Sequence, residues 1–435
     1  MINLIKINTE RPHIYSPDIH VGITATINKY MDTSSILKSL KYVQERHPLL
    51  KSTIYFDKDN TAYYNLEKAQ DIRPIIEDDS NIPWYRWIIE TNAAPFDVTN
   101  DTMLRFHVSR NKHTTCFIAL GHHMLGDGLS YAYFMRDFLC ALDNNLDNQV
   151  LEPTIIKDET CLPKRGHLKL LSKLYAKKLN NDFKKNAKIF NFNDYKKVYQ
   201  KYRYDSNPAI AHLALSSKET KKIITNCKNN KVTVNEAITS AFLYARNQCG
   251  IPTDRLGLSC NIRNELTQNP KESMGNYVSG FIINTKYETS IPFWENAKSI
   301  GRCINTKLKD PKQRYIASAF INALDDSLID SINYIGVDGY KNEASKKLLA
   351  ILTAGSLGEG TAISNLGKLS ISAKSFEVID FYFVPPLFTP HDFVVGVITT
   401  NNILTITVRY PLAKYSHNLV ERIIDKAKKI LLSIC

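Results

Sequence analysis

At 435 residues the chain is too long for one ordinary core and suggests two or three domains. Hydrophobic residues at 43% and charged residues at 23% mark a globular protein, 17 Gly with 17 Pro exclude a collagen-like chain, and no apolar run approaches the ~20 residues of a membrane helix. The net charge of +13 is unevenly spread, because residues 164–203 hold 13 Lys or Arg against only Asp182 and Asp194.

In chain order, the opening Met1-Ile-Asn-Leu-Ile-Lys6 lacks the cationic and apolar regions of a secretory leader. Ser34–Arg46 predicts a helix with Ile36, Leu37, Leu40 and Val43 on one face. Strands are predicted at Ser52–Phe56 and Thr61–Leu66, around the turn Lys58-Asp59-Asn60, and at Leu104–Val108 and Thr115–Leu120. Gly128–Leu142 predicts a helix whose apolar face is Tyr131, Phe134, Phe138, Leu139 and Leu142. In the basic stretch, Leu168, Leu171, Leu174, Tyr175 and Leu179 recur at helical spacing with Lys169, Lys173, Lys177 and Lys178 between them. Such a helix either packs its leucines on a domain as a crossover, or meets a membrane surface or an acidic partner. No zinc-finger or RRM-like pattern accompanies the charge, so nucleic acid is not expected.

Beyond this stretch Asn235–Cys249 predicts a helix, and Leu256–Cys260 and Val278–Asn284 predict strands. Phe393–Thr399 and Leu404–Tyr410 read as a hairpin through Asn401-Asn402, and Leu419–Ile434 as a last helix. Gly355-Ser-Leu-Gly-Glu-Gly360 has the wrong spacing for a dinucleotide fingerprint and reads as a loop. The alternation predicts an α/β protein with mixed sheets flanked by helices, divided into 1–165, a basic crossover at 166–205, and 206–435. The eight cysteines stand singly, with no C-x-x-C pair, which disfavours structural zinc and fits reduced thiols of a cytoplasmic protein.

The segment with the clearest chemistry is Gly121-His-His-Met-Leu-Gly-Asp-Gly128. It joins the end of a strand to the start of a helix, and Asp127 is placed to cap that helix. A histidine on so sharp a connection can be held rigidly toward a cavity. His123 in its neutral form can take a proton from a hydroxyl or amine attacking a carbonyl, whereas His122 reads as a structural turn residue. Adjacent histidines diverge, and H-E-x-x-H is absent, so no metal is expected. G-x-S-x-G and G-x-x-x-x-G-K-[ST] are also absent, which excludes a serine-hydrolase elbow and a P-loop.

His122-His123-x-x-x-Asp127-Gly128 resembles the signature of the chloramphenicol-acetyltransferase-like acyltransferases. These include peptide-synthetase condensation domains, alcohol acetyltransferases, wax-ester synthases and polyketide-associated acyltransferases. Further segments similar to the family's occur in order: Arg46-His-Pro-Leu-Leu-Lys-Ser52, Pro95-Phe96-Asp97 with Met103-Leu104-Arg105, Val232-Thr-Val-Asn-Glu236, Asn261-Ile-Arg263, Met274-Gly-Asn-Tyr277 and Ser364-Asn-Leu-Gly367. The resemblance implies two related α/β subdomains in a monomer, with a channel between them and His123 midway along it. It also implies that Asp127 is structural and bridges to Arg263, and that Ser364 and Asn365 shape a turn or stabilise an oxyanion. His391 is placed either along the channel or in a loop. The plant D-F-G-W-G motif is missing.

The expected reaction is direct acyl transfer from a thioester, acyl-CoA or phosphopantetheine-borne, with no permanently bound cofactor. The alternatives are a free-standing condensation enzyme acting on carrier-bound substrates, and a scaffold that has kept the fold.

Overall fold

The computed structural model describes residues 4–67, 70–79, 82–353, 360–387 and 391–433. The N-terminal half runs β1 (Leu4–Lys6), β2 (His20–Ile27), α1 (Thr33–Arg46), β3 (Thr53–Phe56), β4 (Ala62–Asn65), β5 (Ile75–Asp78), α2 (Trp84–Thr91), β6 (Leu104–Arg110), β7 (Thr115–His122) and α3 (Gly128–Leu142). Two helices follow, α4 (Leu170–Lys184) and α5 (Phe192–Ser206). The C-terminal half opens with β8 (Pro208–Ala214), α6 (Ser217–Asn229), α7 (Val234–Gln248), β9 (Arg255–Asn261), β10 (Val278–Asn284), α8 (Phe293–Leu308) and α9 (Pro311–Ile321). It closes with α10 (Asp326–Ser331), α11 (Glu343–Leu352), β11 (Thr361–Leu369), β12 (Val378–Val384), β13 (Phe393–Thr400), β14 (Ile403–Pro411) and α12 (His417–Ser433).

Local chemistry accounts for these boundaries. The Asp32 side chain accepts from Ser35 N at 2.9 Å and starts α1, which buries Ile36, Leu40 and Val43 but leaves Leu37 47% exposed. Thr233 and Glu236 form a reciprocal capping box at the head of α7. Asn401 and Asn402 both adopt positive φ, which matches the twist of the β13–β14 hairpin they close.

The described strands form two large mixed sheets and one small one. The first large sheet is ordered β12-β2-β7-β6-β5 and the second β10-β9-β11-β13-β14-β8, with β1-β4-β3 beside them. Both are flanked by helices, giving a two-lobed architecture with a hydrophobic core in each lobe. The lobes are not strictly sequential. β12 belongs by sequence to the C-terminal half, yet it pairs antiparallel with β2 and completes the N-terminal sheet. Thr405 and Thr407 on β14 donate their hydroxyls to the carbonyls of Phe381 and Phe383 on β12, at 2.7 and 2.5 Å. One strand thus stitches the two sheets together.

The basic segment is helical, but of the five apolar residues whose spacing suggested its packing face it buries only Leu168 and Leu179. Leu171, Leu174 and Tyr175 are 80%, 54% and 40% exposed, whereas Ala176, Leu179 and Phe183 pack with Tyr315, Ala319 and Leu348. Residues 176, 179 and 183 form their own helical stripe, opposite Leu170 and Leu174. Among the described residues, no helix is long and apolar enough to cross a membrane. The Gly355–Gly360 segment lies outside the described residues except for Gly360, as do Pro390 and Ile434.

This packing makes a specific prediction. Phe183→Ala should lower the unfolding free energy of the whole chain by about 3–5 kcal/mol. Leu171→Ser should leave it within about 0.5 kcal/mol of wild type in urea titration.

Candidate active site

β7 delivers its last residue, His122, into a turn shaped by a close approach at Gly121. A Cβ on Gly121 would fall 2.0 Å from the Tyr131 hydroxyl, which donates to the His122 carbonyl at 2.8 Å. Met124 N donates to His122 Nδ1 at 3.2 Å, so the neutral ring carries its proton on Nε2. The ring is fully buried against His20 and Phe96, and the Arg105 guanidinium stacks on the other face of Phe96 at 3.9 Å. Burial, reinforced by His123 and Arg105, pushes its pKa down to about 3. His122 therefore holds the turn as a neutral side chain.

His123 is 8% exposed, and its Nδ1 is buried without a hydrogen-bond partner among the described residues. Its ring centroid lies 4.8 Å from that of His13, with the planes tilted by 41°. Burial lowers the His123 pKa, while Asp127 and the residue's own backbone partly counter it; the net shift is downward, and the ring is neutral at pH 7.

Asp127 caps α3, accepting from Ser130 N at 2.8 Å. Arg263, from the other half of the chain, clamps the carboxylate in a bidentate pair at 3.0 and 3.1 Å, and Tyr277 N donates to it at 2.9 Å. Arg263 Nη2 also donates to Ser130 Oγ at 2.6 Å, and Ser130 Oγ donates to the Gly275 carbonyl at 2.7 Å. Both members of the pair are almost fully buried. Burial alone would raise the Asp127 pKa; the Arg263 charge and the donated hydrogen bonds outweigh it and hold the carboxyl below its ordinary value.

The structure brings His122, His123, Asp127, Gly128 and Arg263 together. A Cβ on Gly128 would come within 2.7 Å of the Phe383 ring and 3.1 Å of Leu366 Cδ2, so the head of α3 touches β11 and β12 directly. Leu366 sits beside Ser364 and Asn365 at a bulge in β11. Asn365 accepts from Gly367 N at 2.9 Å and donates to Asn235 at 3.3 Å, which locks this bulge to the head of α7. His391 lies elsewhere. Its Nε2 falls 2.2 Å from a Cβ built on Gly257, near the start of β9, whereas Arg263 follows the end of that strand. Burial and the neighbouring Arg255 push the His391 pKa down to about 4.

The early Arg46-His47 segment acts from a distance. Arg46 Nε and His47 Nε2 lie 2.8 and 3.0 Å from Asp137 Oδ2 on α3, fixing the helix that Asp127 caps.

Sequence reasoning missed His13, which no periodicity or motif distinguishes. It ends a short turn, Arg11–His13, which Arg11 pins through Asp330 (2.7 Å from Nε) and the Asn60 carbonyl (2.9 Å). The Asn276 amide donates to His13 Nε2 at 3.0 Å. The assembly offers a neutral imidazole, His123, held on a turn that both lobes brace. That equips it to take a proton from a bound nucleophile.

The sign of the Asp127 shift sets a pH window. A depressed carboxyl contributes stability that is present above its unfolded value near 4 and is lost as pH falls through the folded value. Arg263→Ala leaves a buried carboxylate without its cation, so the acid loss should begin above pH 4. Urea midpoints measured from pH 3 to pH 7, wild type beside variant, should show the variant's decline starting at higher pH.

Comparison with known proteins places this geometry. The alcohol acetyltransferase family model matches residues 92–411. No curated protein sequence matches the chain. Among solved structures, the TRI3 trichothecene 15-O-acetyltransferase from Fusarium sporotrichioides superposes with a TM-score of 0.68 at 11% identity, over 99% of this chain and 95% of that one. The first condensation domain of the calcium-dependent antibiotic synthetase gives 0.66 at 11%, over 100% and 97%. The epimerization domain from the third module of tyrocidine synthetase B gives 0.61 at 14%, over 100% and 96%. With the family match spanning most of its length, the chain belongs to the alcohol acetyltransferase family, within the chloramphenicol-acetyltransferase-like superfamily of acyltransferases and condensation domains.

Proposed function

We propose that this acyltransferase moves an acyl group from a thioester, acyl-CoA foremost, to a hydroxyl or amine acceptor, with His123 as general base. The observation that carries this reading is the neutral His123 ring on a turn locked by Asp127 and Arg263. In this reading donor and acceptor reach His123 along the seam where the lobes meet. The acceptor's proton passes to Nε2 as its oxygen or nitrogen bonds to the thioester carbonyl carbon. The C–S bond then breaks, and the imidazolium returns the proton to the leaving thiolate. Ser130 is engaged by Arg263 and Gly275, which leaves it unsuited as a nucleophile and favours direct transfer. Ser364, at the β11 bulge, is proposed to face the developing oxyanion, a contact worth about 3–4 kcal/mol.

A second reading, condensation of carrier-bound substrates, is favoured by the surface of α4. Leu170, Leu171 and Leu174 stand exposed there beside Lys169, Lys177 and Lys178, and these lysines make no ion pair among the described residues. Such a face suits an acidic carrier protein or an anionic membrane surface, and either contact would weaken with salt.

Thiol release from a panel of acyl-CoAs and acceptors tests the first reading. His123→Ala should lower the rate by about 10²–10⁴-fold, and equal rates would remove His123 as the base. Turnover that requires a phosphopantetheinylated carrier protein would favour the second reading. Because the folded His123 pKa is lowered, kcat/KM should stay level through neutral pH and fall only below about 6.5. An acid limb above that value would contradict the assignment.

A further inference from the structure

A cleft of about 810 Å³ opens at the end of the C-terminal sheet, lined by Arg246, Arg255, Lys286, Tyr287 and Lys414, with Asp254 as its acid. It is remote from the site described above. Arg255 begins β9 and Arg263 follows its end, so the two lie roughly 25 Å apart at about 3.3 Å per strand residue.

The cleft is unusual in its unmet electrostatic demand. Arg246, near the end of α7, is only 4% exposed; its Nη2 donates to the Tyr415 hydroxyl at 3.5 Å, and its Nε and Nη1 have no hydrogen-bond partner among the described residues. Its guanidinium lies over the rings of Phe393 at 4.8 Å and Tyr415 at 5.5 Å, contacts that orient the plane without neutralising the charge. Arg255 adds a second buried, unpartnered Nε, while its Nη2 is turned to the Thr353 carbonyl. The nearby acid Asp392 is already taken by Lys414 and the Tyr415 hydroxyl. An arginine cannot escape burial by losing its proton, so an uncompensated guanidinium in a walled cleft is a standing demand for an anion. The fork of donors matches phosphate, Lys286 adds charge at the rim, and Tyr287 offers a ring face. A cleft of this volume holds a nucleotide-sized ligand.

We propose that this cleft binds the phosphate groups of a nucleotide-sized anion, with Arg246 as the buried anchor, the half-buried Arg255 beside it and Lys286 at the mouth. The ligand is either the nucleotide end of a CoA thioester or a free nucleotide. Binding here does not require His123.

Isothermal titration calorimetry on the intact chain tests this with 3′-phosphoadenosine 5′-phosphate, inorganic pyrophosphate and CoA as probes. The wild type should bind 3′-phosphoadenosine 5′-phosphate, with affinity falling as salt rises. Arg255→Gln should weaken it at least tenfold, and the exposed Lys286→Gln severalfold. His123→Ala should bind like wild type, which keeps this result separate from any failure of the catalytic reading. CoA that competes with the probe, and weakens equally in Arg255→Gln, would identify the donor's nucleotide end. Probe binding that CoA does not displace would identify a free nucleotide. No binding of any probe, or binding that neither variant weakens, would overturn the proposal.

Discussion

A bidentate ion pair between Asp127 and Arg263 joins the two lobes at the turn that carries His122 and His123. Taking both charges out of water is costly, and their attraction offsets that cost only if every remaining hydrogen-bonding site is filled. Here the carboxylate receives Ser130 N, Tyr277 N and both Arg263 amino groups, so the condition is met on the acid's side, whereas Arg263 Nε stays buried without a partner among the described residues. Two further buried pairs bridge the same halves, Arg11 with Asp330 and Asp18 with Arg409. Together with β12, these pairs link the two lobes across their seam. The price is that loss of either partner strands a buried charge.

Around this joint the protein keeps its imidazoles neutral. His20, His122 and His123 are buried with the half-buried His13 beside them, and desolvation lowers the pKa of each. Every one therefore contributes stability that is present above the unfolded value near 6.5 and is lost as pH falls through its folded value. The same burial that costs acid stability keeps His123 in the form able to accept a proton. Within the adjacent pair, Asp127 opposes the downward shift at His123 and not at His122.

Much of this was legible in the sequence because the signals are local. Gly128–Leu142 is a helix with the boundaries that its cap and period predict, and the Asn401-Asn402 hairpin follows from turn chemistry. The family motifs each report a contact that needs particular atoms: Thr233 with Glu236 at a helix head, Arg46 with Asp137, Arg263 with Asp127. What stayed hidden depends on long-range packing. Nothing in Val378–Val384 indicates that it will pair with β2 more than 350 residues earlier in the chain. His13 is placed by an ion pair to Asp330, and α4 buries the stripe that α9 and α11 offer it, not its most leucine-rich face. Identities of 11–14% with structures of the same architecture fit this division, since a fold can persist while most side chains change.

The account stands or falls on the Asp127–Arg263 joint acting as one unit that aims His123. A double-mutant cycle on kcat/KM for acyl transfer, with Asp127→Asn, Arg263→Gln and the combined variant, measures this coupling directly. The joint predicts that each single change lowers kcat/KM and that the double variant is no worse than the more damaged single. Losses that simply multiply in the double variant would show that the two residues act independently, and would contradict the account.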